Sequence, residues 1–196
     1  MVLDTSAFLA GFDPFSVSEK EVTVPMVEDE IKAKSMSWVR FKTAVENGKL
    51  KIKMPSEEYA NKVKASAKRV GDAFFLSETD LQVLALALEL KAEGHTAQIV
   101  TDDYSIQNVA TNIGIDFVSL ATLGIRRLLE WVRYCPACHR QYPADYQSTT
   151  CSVCGTALKR KPRRTAKKLK GRKEERQRDN VRQIGCADVR RRIVRV

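Results

Sequence analysis

Apolar and polar positions in residues 1–125 switch repeatedly between a period typical of strands and a period typical of helices. Short strand-like runs are "MVL", "EVTV", "KLKIKM", "AQIVT" and "IDFVS", and the strict alternation of "KLKIKM" is typical of an edge strand. Helix-like segments lie between them. One is predicted from Pro25 to Gly48, one from Ser56 to about Val70, and the most apolar one is "SETDLQVLALALELKAEG". Such alternation predicts an α/β sandwich with a mostly parallel central sheet.

The rest of the chain divides into three shorter segments. The pattern "RRLLEWVRY" predicts a helical connector at 126–134, and residues 135–158 contain two Cys-x-x-Cys pairs. Residues 159–196 form a basic tail, with 17 of the 34 Lys and Arg residues but only 4 of the 24 acidic ones. Its first part, residues 159–173, is predicted to stay disordered until it binds a partner. The formal charge of +10 thus belongs to the tail, which suggests that polyanion binding and any chemistry occupy different regions.

Composition also suggests a cellular compartment. No apolar run approaches the ~18 residues needed to span a membrane. The first residues, "MVLDTSAFLAGF", contain an aspartate and lack the basic start of a secretory signal. Four of the five cysteines fall in the two spaced pairs, which fits a metal site in a reducing compartment better than disulfides. The sequence therefore predicts a cytoplasmic protein.

Several acidic side chains are predicted to converge at one edge of the sheet. Asp4 follows the strand "VL", and Asp102 and Asp103 follow "QIVT", so all three lie at carboxyl ends of strands. Glu30 and Asp80 fall on helix faces that border the core. Carboxylates held together repel unless a cation lies among them, and Mg²⁺ or Mn²⁺ prefers oxygen ligands. Such a site could activate water against a phosphodiester.

Each acid also has a structural explanation that needs no metal. The three aspartates that follow strands could cap the next helices. Glu30 could pair with Lys34 or favour the positive end of its helix. Ser77 and Asp80 match a capping box. For any one acid the structural explanation is the better one, and only the joint arrangement favours a metal site.

The two cysteine pairs are separated by twelve residues and comprise Cys135, Cys138, Cys151 and Cys154. Four thiolates with this spacing predict a zinc ribbon around a tetrahedral, structural Zn²⁺ with no open position for catalysis. His139 is adjacent, but a fifth ligand is not needed, so we interpret it as a surface residue or an RNA contact. Cys186 is unpaired, and no role is predicted for it.

Cations around the ribbon and in the tail predict contacts with RNA phosphates. The predicted contacts are Arg140, Lys159, Arg160, Lys161, Arg163, Arg164, Lys167 and Lys168. A charge run is often only a solvated or targeting segment, but ten cations in residues 159–173 favour nucleic acid. Tyr142 and Tyr146 could stack on bases or could pack the small module, and the sequence favours neither.

Four motifs in register resemble those of the PIN-domain ribonucleases: "VLDTSAF", "VPMVEDEIK", "SETDLQVLALAL" and "IVTDDYSIQNVA". Together with the ribbon, they are similar to the NOB (Nin-one-binding) endonucleases of archaea and eukaryotes, over residues 1–125 and on to about 158. The resemblance implies a PIN-like three-layer sandwich. It also implies a Mg²⁺ or Mn²⁺ site formed by Asp4, Glu30, Asp80 and one or both of Asp102 and Asp103. Asp103 is the favoured one, and the hydroxyls of Thr5 and Ser6 would support the site.

The same resemblance implies a function. It points to a metal-dependent endoribonuclease that cleaves precursor small-subunit ribosomal RNA near its 3′ end, with the small subunit and its assembly factors as partners. One alternative is a non-catalytic RNA-binding module of ribosome assembly, in which the acids are structural. Another is a PIN-type toxin or messenger-decay nuclease, although the ribbon and the long basic tail argue against a compact toxin.

Overall fold

The larger unit is built around a five-stranded sheet, described here from a computed structural model of residues 1–163. Its strands are β1 (Val2–Leu3), β2 (Glu21–Thr23), β3 (Leu50–Ile52), β4 (Gln98–Val100) and β5 (Asp116–Val118). The order is β3-β2-β1-β4-β5, and every neighbouring pair is parallel. The predicted α/β fold with a parallel sheet is confirmed, and β3 lies at an edge as its alternating pattern indicated.

Helices flank this sheet and connect its strands. They are α1 (Thr5–Leu9), a short 3₁₀ helix (Pro14–Ser16), α2 (Pro25–Glu30), α3 (Met36–Glu46), α4 (Glu57–Val70), α5 (Glu78–Ala92) and α6 (Tyr104–Asn112). The most apolar of them, α5, buries residues from Thr79 to Ala87 against the sheet and its neighbours. Its start has the predicted capping box between Ser77 and Asp80. Within residues 1–163, no helix combines the length and apolar character that crossing a bilayer would require.

The single helix predicted between Pro25 and Gly48 is in fact two helices, α2 and α3. The backbone leaves the helical conformation at Ile31, whose ψ is 118°, and Lys34 has a positive φ of 64°. Ser35 then starts α3, because its hydroxyl accepts a hydrogen bond from the backbone N–H of Trp38 at 3.1 Å. The break leaves Glu30 at the last turn of α2, where it contacts Thr5 just after β1.

The predicted helical connector is also wrong. Residues 131–134 form strand β6 (Trp131–Tyr134), which pairs antiparallel with β7 (Gln141–Tyr142) and β8 (Lys159–Pro162). The apolar pattern of this segment was too short to distinguish a helix from a strand. Its half-buried side chains and its pairing with two neighbouring strands stabilise the strand conformation. The segment predicted as a disordered tail therefore begins with four residues of a three-stranded sheet.

Two amide side chains of α6 fix the chain between the larger unit and this small sheet. Gln107 donates to the Thr101 carbonyl at 3.0 Å and accepts from the Ile125 N–H at 2.9 Å. Asn108 both donates to and accepts from the backbone of Leu129, at 2.8 Å each. Residues 119–129 are thus held by side-chain hydrogen bonds, which a periodic sequence pattern does not reveal.

Candidate active site and metal centres

Asp4 lies at the carboxyl end of β1 and is almost fully buried, with 3% of its surface exposed. Its Oδ2 accepts hydrogen bonds from Ser6 Oγ at 2.7 Å and from Thr101 Oγ1 at 2.8 Å. Burial raises the pKa of Asp4, while these two hydroxyls act in the opposite direction by stabilising its charge. The predicted contribution of the Ser6 hydroxyl is present, and Thr101 adds a second one.

Asp103 is connected to Asp4 through the same threonine. The backbone N–H of Asp103 donates to Thr101 Oγ1 at 3.1 Å, so one hydroxyl bridges the ends of the neighbouring strands β1 and β4. The Oδ1 atom of Asp103 caps α6 by accepting from Ser105 N at 2.5 Å. Its Oδ2 makes neither of the capping contacts and can serve as a ligand.

Asp80 comes from a distant part of the chain to the same edge of the sheet. Its Oδ2 accepts from Ser77 N at 2.7 Å, which is half of the capping box. The pKa of Asp80 is raised to about 6, first because the carboxyl is buried and then because the charges of Asp4 and Asp103 lie close enough to act on it. Three carboxylates from three separate segments are therefore electrostatically coupled.

Glu30 joins this group through Thr5, the residue after Asp4. Thr5 Oγ1 donates to Glu30 Oε2 at 2.5 Å, so the exposed carboxylate is tethered next to the end of β1. The nearby Glu28 instead forms an ion pair with Lys42. The Thr5 hydroxyl thus makes the kind of contact that the resemblance implied for it, whereas Glu28 is engaged elsewhere.

Asp102, which the sequence left open as a possible ligand, is engaged in contacts that differ from those of Asp103. Its two oxygens accept hydrogen bonds from the backbone N–H groups of residues 120–122 and from Thr122 Oγ1, all between 2.9 and 3.1 Å. A carboxylate committed to so many donors stabilises the loop after β5. Of the adjacent pair, Asp103 is the one that remains for the site.

Sequence reasoning missed one further acid, Asp72, which is 1% exposed in the turn between α4 and α5. Asn108 Nδ2 donates to its Oδ2 at 2.6 Å, and an Arg160 guanidinium nitrogen lies 3.2 Å from its Oδ1. Burial raises the pKa of Asp72 most, and the nearby charge of Asp103 adds to the effect. In the sequence Asp72 follows Gly71 between two helices, so it is indistinguishable from an ordinary turn residue.

The four predicted cysteines form a second centre. Their sulfur atoms all lie within 4.8 Å of one another, and they are the one group of three or more possible ligands drawn together in this way within residues 1–163. The closest pairs are Cys135–Cys154 at 3.4 Å and Cys138–Cys151 at 3.5 Å. A tetrahedral ion with bonds of ~2.3 Å to sulfur needs separations of about 3.8 Å, so the four-cysteine cluster could bind a metal. His139 stays outside it.

Two matching turns present these sulfur atoms. The residue after each Cys-x-x-Cys pair has a positive φ, 60° for His139 and 71° for Gly155. Each of these residues donates its backbone N–H to the carbonyl of the first cysteine of its pair, at 3.0 and 2.9 Å. The two halves of the ribbon thus have the same local geometry, although only one uses the glycine that such a turn favours.

The tyrosines of the ribbon pack the module. Tyr142 is buried, its ring centroid is 4.5 Å from that of Tyr146, and its hydroxyl lies 3.0 Å from the sulfur of Cys151. The hydrogen bond from this hydroxyl is the main reason that the pKa of Cys151 is lowered to about 6. Of the two interpretations that the sequence left open, packing is the correct one for Tyr142.

The predicted RNA-binding cations differ in their surroundings. Arg140 and Lys159 are exposed, whereas Lys161 lies over the Tyr134 ring and Arg163 lies 3.9 Å from a Glu130 oxygen. Arg160 was predicted to contact RNA, but it points instead to the larger unit, where its partner is Asp72. Three more predicted contacts, Arg164, Lys167 and Lys168, lie outside the described residues.

Comparison with known proteins gives a consistent result. A family model described as the PIN domain of ribonuclease matches residues 1–90. The chain is 38% identical to Endoribonuclease Nob1 of Methanocaldococcus jannaschii over 88% of its own length and 83% of that protein. It is 38% identical to Endoribonuclease Nob1 of Methanothermobacter thermautotrophicus over 83% and 93%, respectively. It is also 34% identical to Ribonuclease VapC1 of Thermoplasma acidophilum over 81% and 76%.

Proposed function

Because the chain belongs to the Nob1 endoribonuclease family of PIN-domain ribonucleases, we propose that its substrate is precursor ribosomal RNA of the small subunit, cut near its 3′ end. The observation that carries this proposal is the Thr101 hydroxyl, which contacts both Asp4 and Asp103 at the carboxyl edge of the sheet, while the charges of these two acids help to raise the pKa of Asp80. Parallel sheets collect their ligands at this edge. The partners of the protein would be the small ribosomal subunit and the factors that assemble this subunit.

Asp4, Glu30, Asp80 and Asp103 would hold the divalent ion, Mg²⁺ or Mn²⁺. Their donors are carboxylate oxygens, which suit a hard cation, and the ion would compensate the repulsion that now acts on Asp80. When bound, the ion supplies a Lewis acid beside the scissile phosphodiester. The protein residues contribute orientation: Ser6 and Thr101 fix one oxygen of Asp4, and Thr5 fixes one of Glu30.

The ribbon would hold Zn²⁺ and help to place the nuclease on RNA. Its thiol-only donor set favours a closed, structural zinc site, and the buried Tyr142 supports it from within. Residues from Arg164 onward, rich in Lys and Arg, would add electrostatic attraction to phosphates. Chemistry and affinity would then reside in different parts of the chain.

A mapped cleavage assay tests the proposal. Purified protein is incubated with a precursor transcript that spans the 3′ end of small-subunit RNA, with Mn²⁺, with Mg²⁺ and without added metal, and the new ends are located by primer extension. We expect one major metal-dependent cut near the mature 3′ end. A protein that binds the transcript but never cuts it would be a non-catalytic assembly module. Cuts confined to messenger-like transcripts added in parallel would support the alternative of a messenger-decay nuclease.

A further inference from the structure

A cleft of about 180 Å³ lies where the ribbon packs against the turn between α4 and α5. The turn contributes Gly71, Phe74 and Phe75, and the ribbon contributes Trp131, Arg133 and Arg160. At its base the two surfaces meet very closely. A Cβ atom on Gly71, whose φ is +83°, would lie 2.9 Å from the Cβ of Trp131. The cleft is therefore part of a closely packed contact between the two units.

One wall of the cleft is fixed by Arg160. Its guanidinium carbon is 3.5 Å from the ring centroid of Phe75 and 4.2 Å from that of Trp131. One of its guanidinium nitrogens also forms the ion pair with Asp72. Arginine stacked on aromatic rings and paired with a buried carboxylate keeps one orientation. This arrangement anchors the ribbon and neutralises the charge of Arg160.

Another part of the cleft lining combines an exposed aromatic ring with positive charge. Phe74 is 51% exposed, and the guanidinium carbon of Arg133 lies 4.6 Å from its ring centroid. The exposed side chain of Lys159 lines the same cleft. An exposed ring beside cations is the combination that proteins use to stack a base and contact its phosphate.

The cleft is also close to the candidate active site. The turn that carries Phe74 and Phe75 continues directly into Ser77 and α5, where Asp80 is the third residue. Asp72, the partner of Arg160, also accepts a hydrogen bond from Asn108 of α6, the helix that Asp103 caps. An RNA strand seated in the cleft would therefore lie next to the turn that leads into Asp80.

We propose that this cleft binds one unpaired base of the substrate RNA, stacked on Phe74, with its phosphates near Arg133 and Lys159. The proposal rests on the proposed function, since the substrate must be RNA. An unpaired base fits because only it can expose a face for stacking, whereas the bases of a duplex are already stacked. The cleft would then set which phosphodiester reaches the acids.

Fluorescence of Trp131 provides a direct test. The chain has two tryptophans, so a Trp38→Phe background leaves Trp131, which lines the cleft, as the sole reporter. A single-stranded RNA hexamer is titrated at moderate salt without added Mg²⁺ or Mn²⁺, and a duplex of the same length is titrated in parallel. We expect saturable quenching by the single strand and a much smaller response to the duplex.

Phe74→Ala in the same background should weaken hexamer binding by roughly five- to 150-fold, the range typical of losing one base–aromatic stack. Phe74 is preferable to Phe75, because removing Phe75 would also disturb the Arg160 anchor. The matched control is Phe15→Ala, which removes an equally exposed phenylalanine, 51%, outside the cleft and should leave binding unchanged.

The inference would be overturned if Trp131 fluorescence did not respond to the single strand, or if the Phe74→Ala and control proteins bound the hexamer with equal affinity. It would also be overturned if the emission changed with protein concentration in the absence of RNA, because that would indicate a second copy of the chain in the cleft. Metal-dependent cleavage of the precursor is measured separately with the same proteins. If cleavage occurs but the cleft does not respond, the proposed function stands and only the base site fails. If the cleft responds and no cleavage is found, the nuclease proposal fails instead.

Discussion

Asp80→Asn should have opposite effects on activity and on stability, and this combination is what distinguishes a metal ligand from a helix cap. Asparagine keeps an oxygen that can accept from Ser77 N, so the capping box survives in shape. It removes one of the coupled charges. Cleavage should fall on the order of a hundredfold or more, which corresponds to about 3 kcal/mol of lost transition-state stabilisation.

The effect on stability follows from the raised pKa. The pKa of Asp80 is 3.8 in the unfolded chain and about 6 in the folded protein. As the pH rises between these values the unfolded chain loses the proton first, so the wild-type protein loses stability across this window. Each unit of pKa difference is worth roughly 1.4 kcal/mol, and partial exposure reduces the total to about 1–3 kcal/mol. Without added metal, the variant should therefore be more stable than wild type at pH 8 and equal to it at pH 4.

The assay combines cleavage of the precursor transcript in Mn²⁺ with melting curves at both pH values, with and without metal. Asp13→Asn is the matched control, because Asp13 also caps a short helix, accepting from Phe15 N at 3.1 Å, and is exposed. It should cut at the wild-type rate. If the Asp80→Asn protein also cuts at the wild-type rate, or if it is destabilised at pH 8, the acids are structural and the reasoning is refuted.

Three further predictions concern other parts of the chain. Cys138→Ser should release about one zinc per chain, measured by metal analysis, while circular dichroism still shows the helices of the PIN domain; collapse of the whole chain would contradict two separable units. Removing residues 164–196 should lower the salt slope of RNA binding by about 0.7 for each phosphate that the tail no longer neutralises, and an unchanged slope would exclude the tail from binding. Burial raises the pKa of Glu21 to about 8, and neither of its oxygens has a hydrogen-bond partner within residues 1–163, so stability should fall as the pH rises from 4.5 to 8. Glu21→Gln should flatten that part of the melting-temperature profile, and an equally steep fall would assign it to another group.

The parts of the site that follow from local pattern could be predicted from the sequence. The capping box at Ser77, the strand ends at Asp4 and Asp103, and the cysteine spacing are all short-range features. Asp102 and Asp103, in contrast, are adjacent and chemically identical. Only the loop after β5, which folds back onto Asp102, separates their roles. No periodicity encodes that long-range contact.

The same limit explains the errors around the ribbon. Trp131 and Arg160 lie in segments that looked like a helix and a disordered tail, but each completes a sheet whose partner strands are distant in sequence. The role of Asp72 depends on its ion pair with Arg160, which is 88 residues away in the sequence. The prediction that Arg160 contacts RNA was based on its charge alone. A sequence does not show which cation forms an ion pair with a buried carboxylate.

The central position of β1 affects when the candidate site can be completed during synthesis. Val2 pairs with Val22 on one side and with Ile99 on the other, so the first strand made is among the last to be completed. Asp4 gains Thr101 and Asp103 as neighbours only after more than half of the chain has been translated. A nascent chain that has not been synthesised as far as residue 103 therefore has Asp4 without these two neighbours. The order of the strands would itself delay activity until the enzyme has emerged.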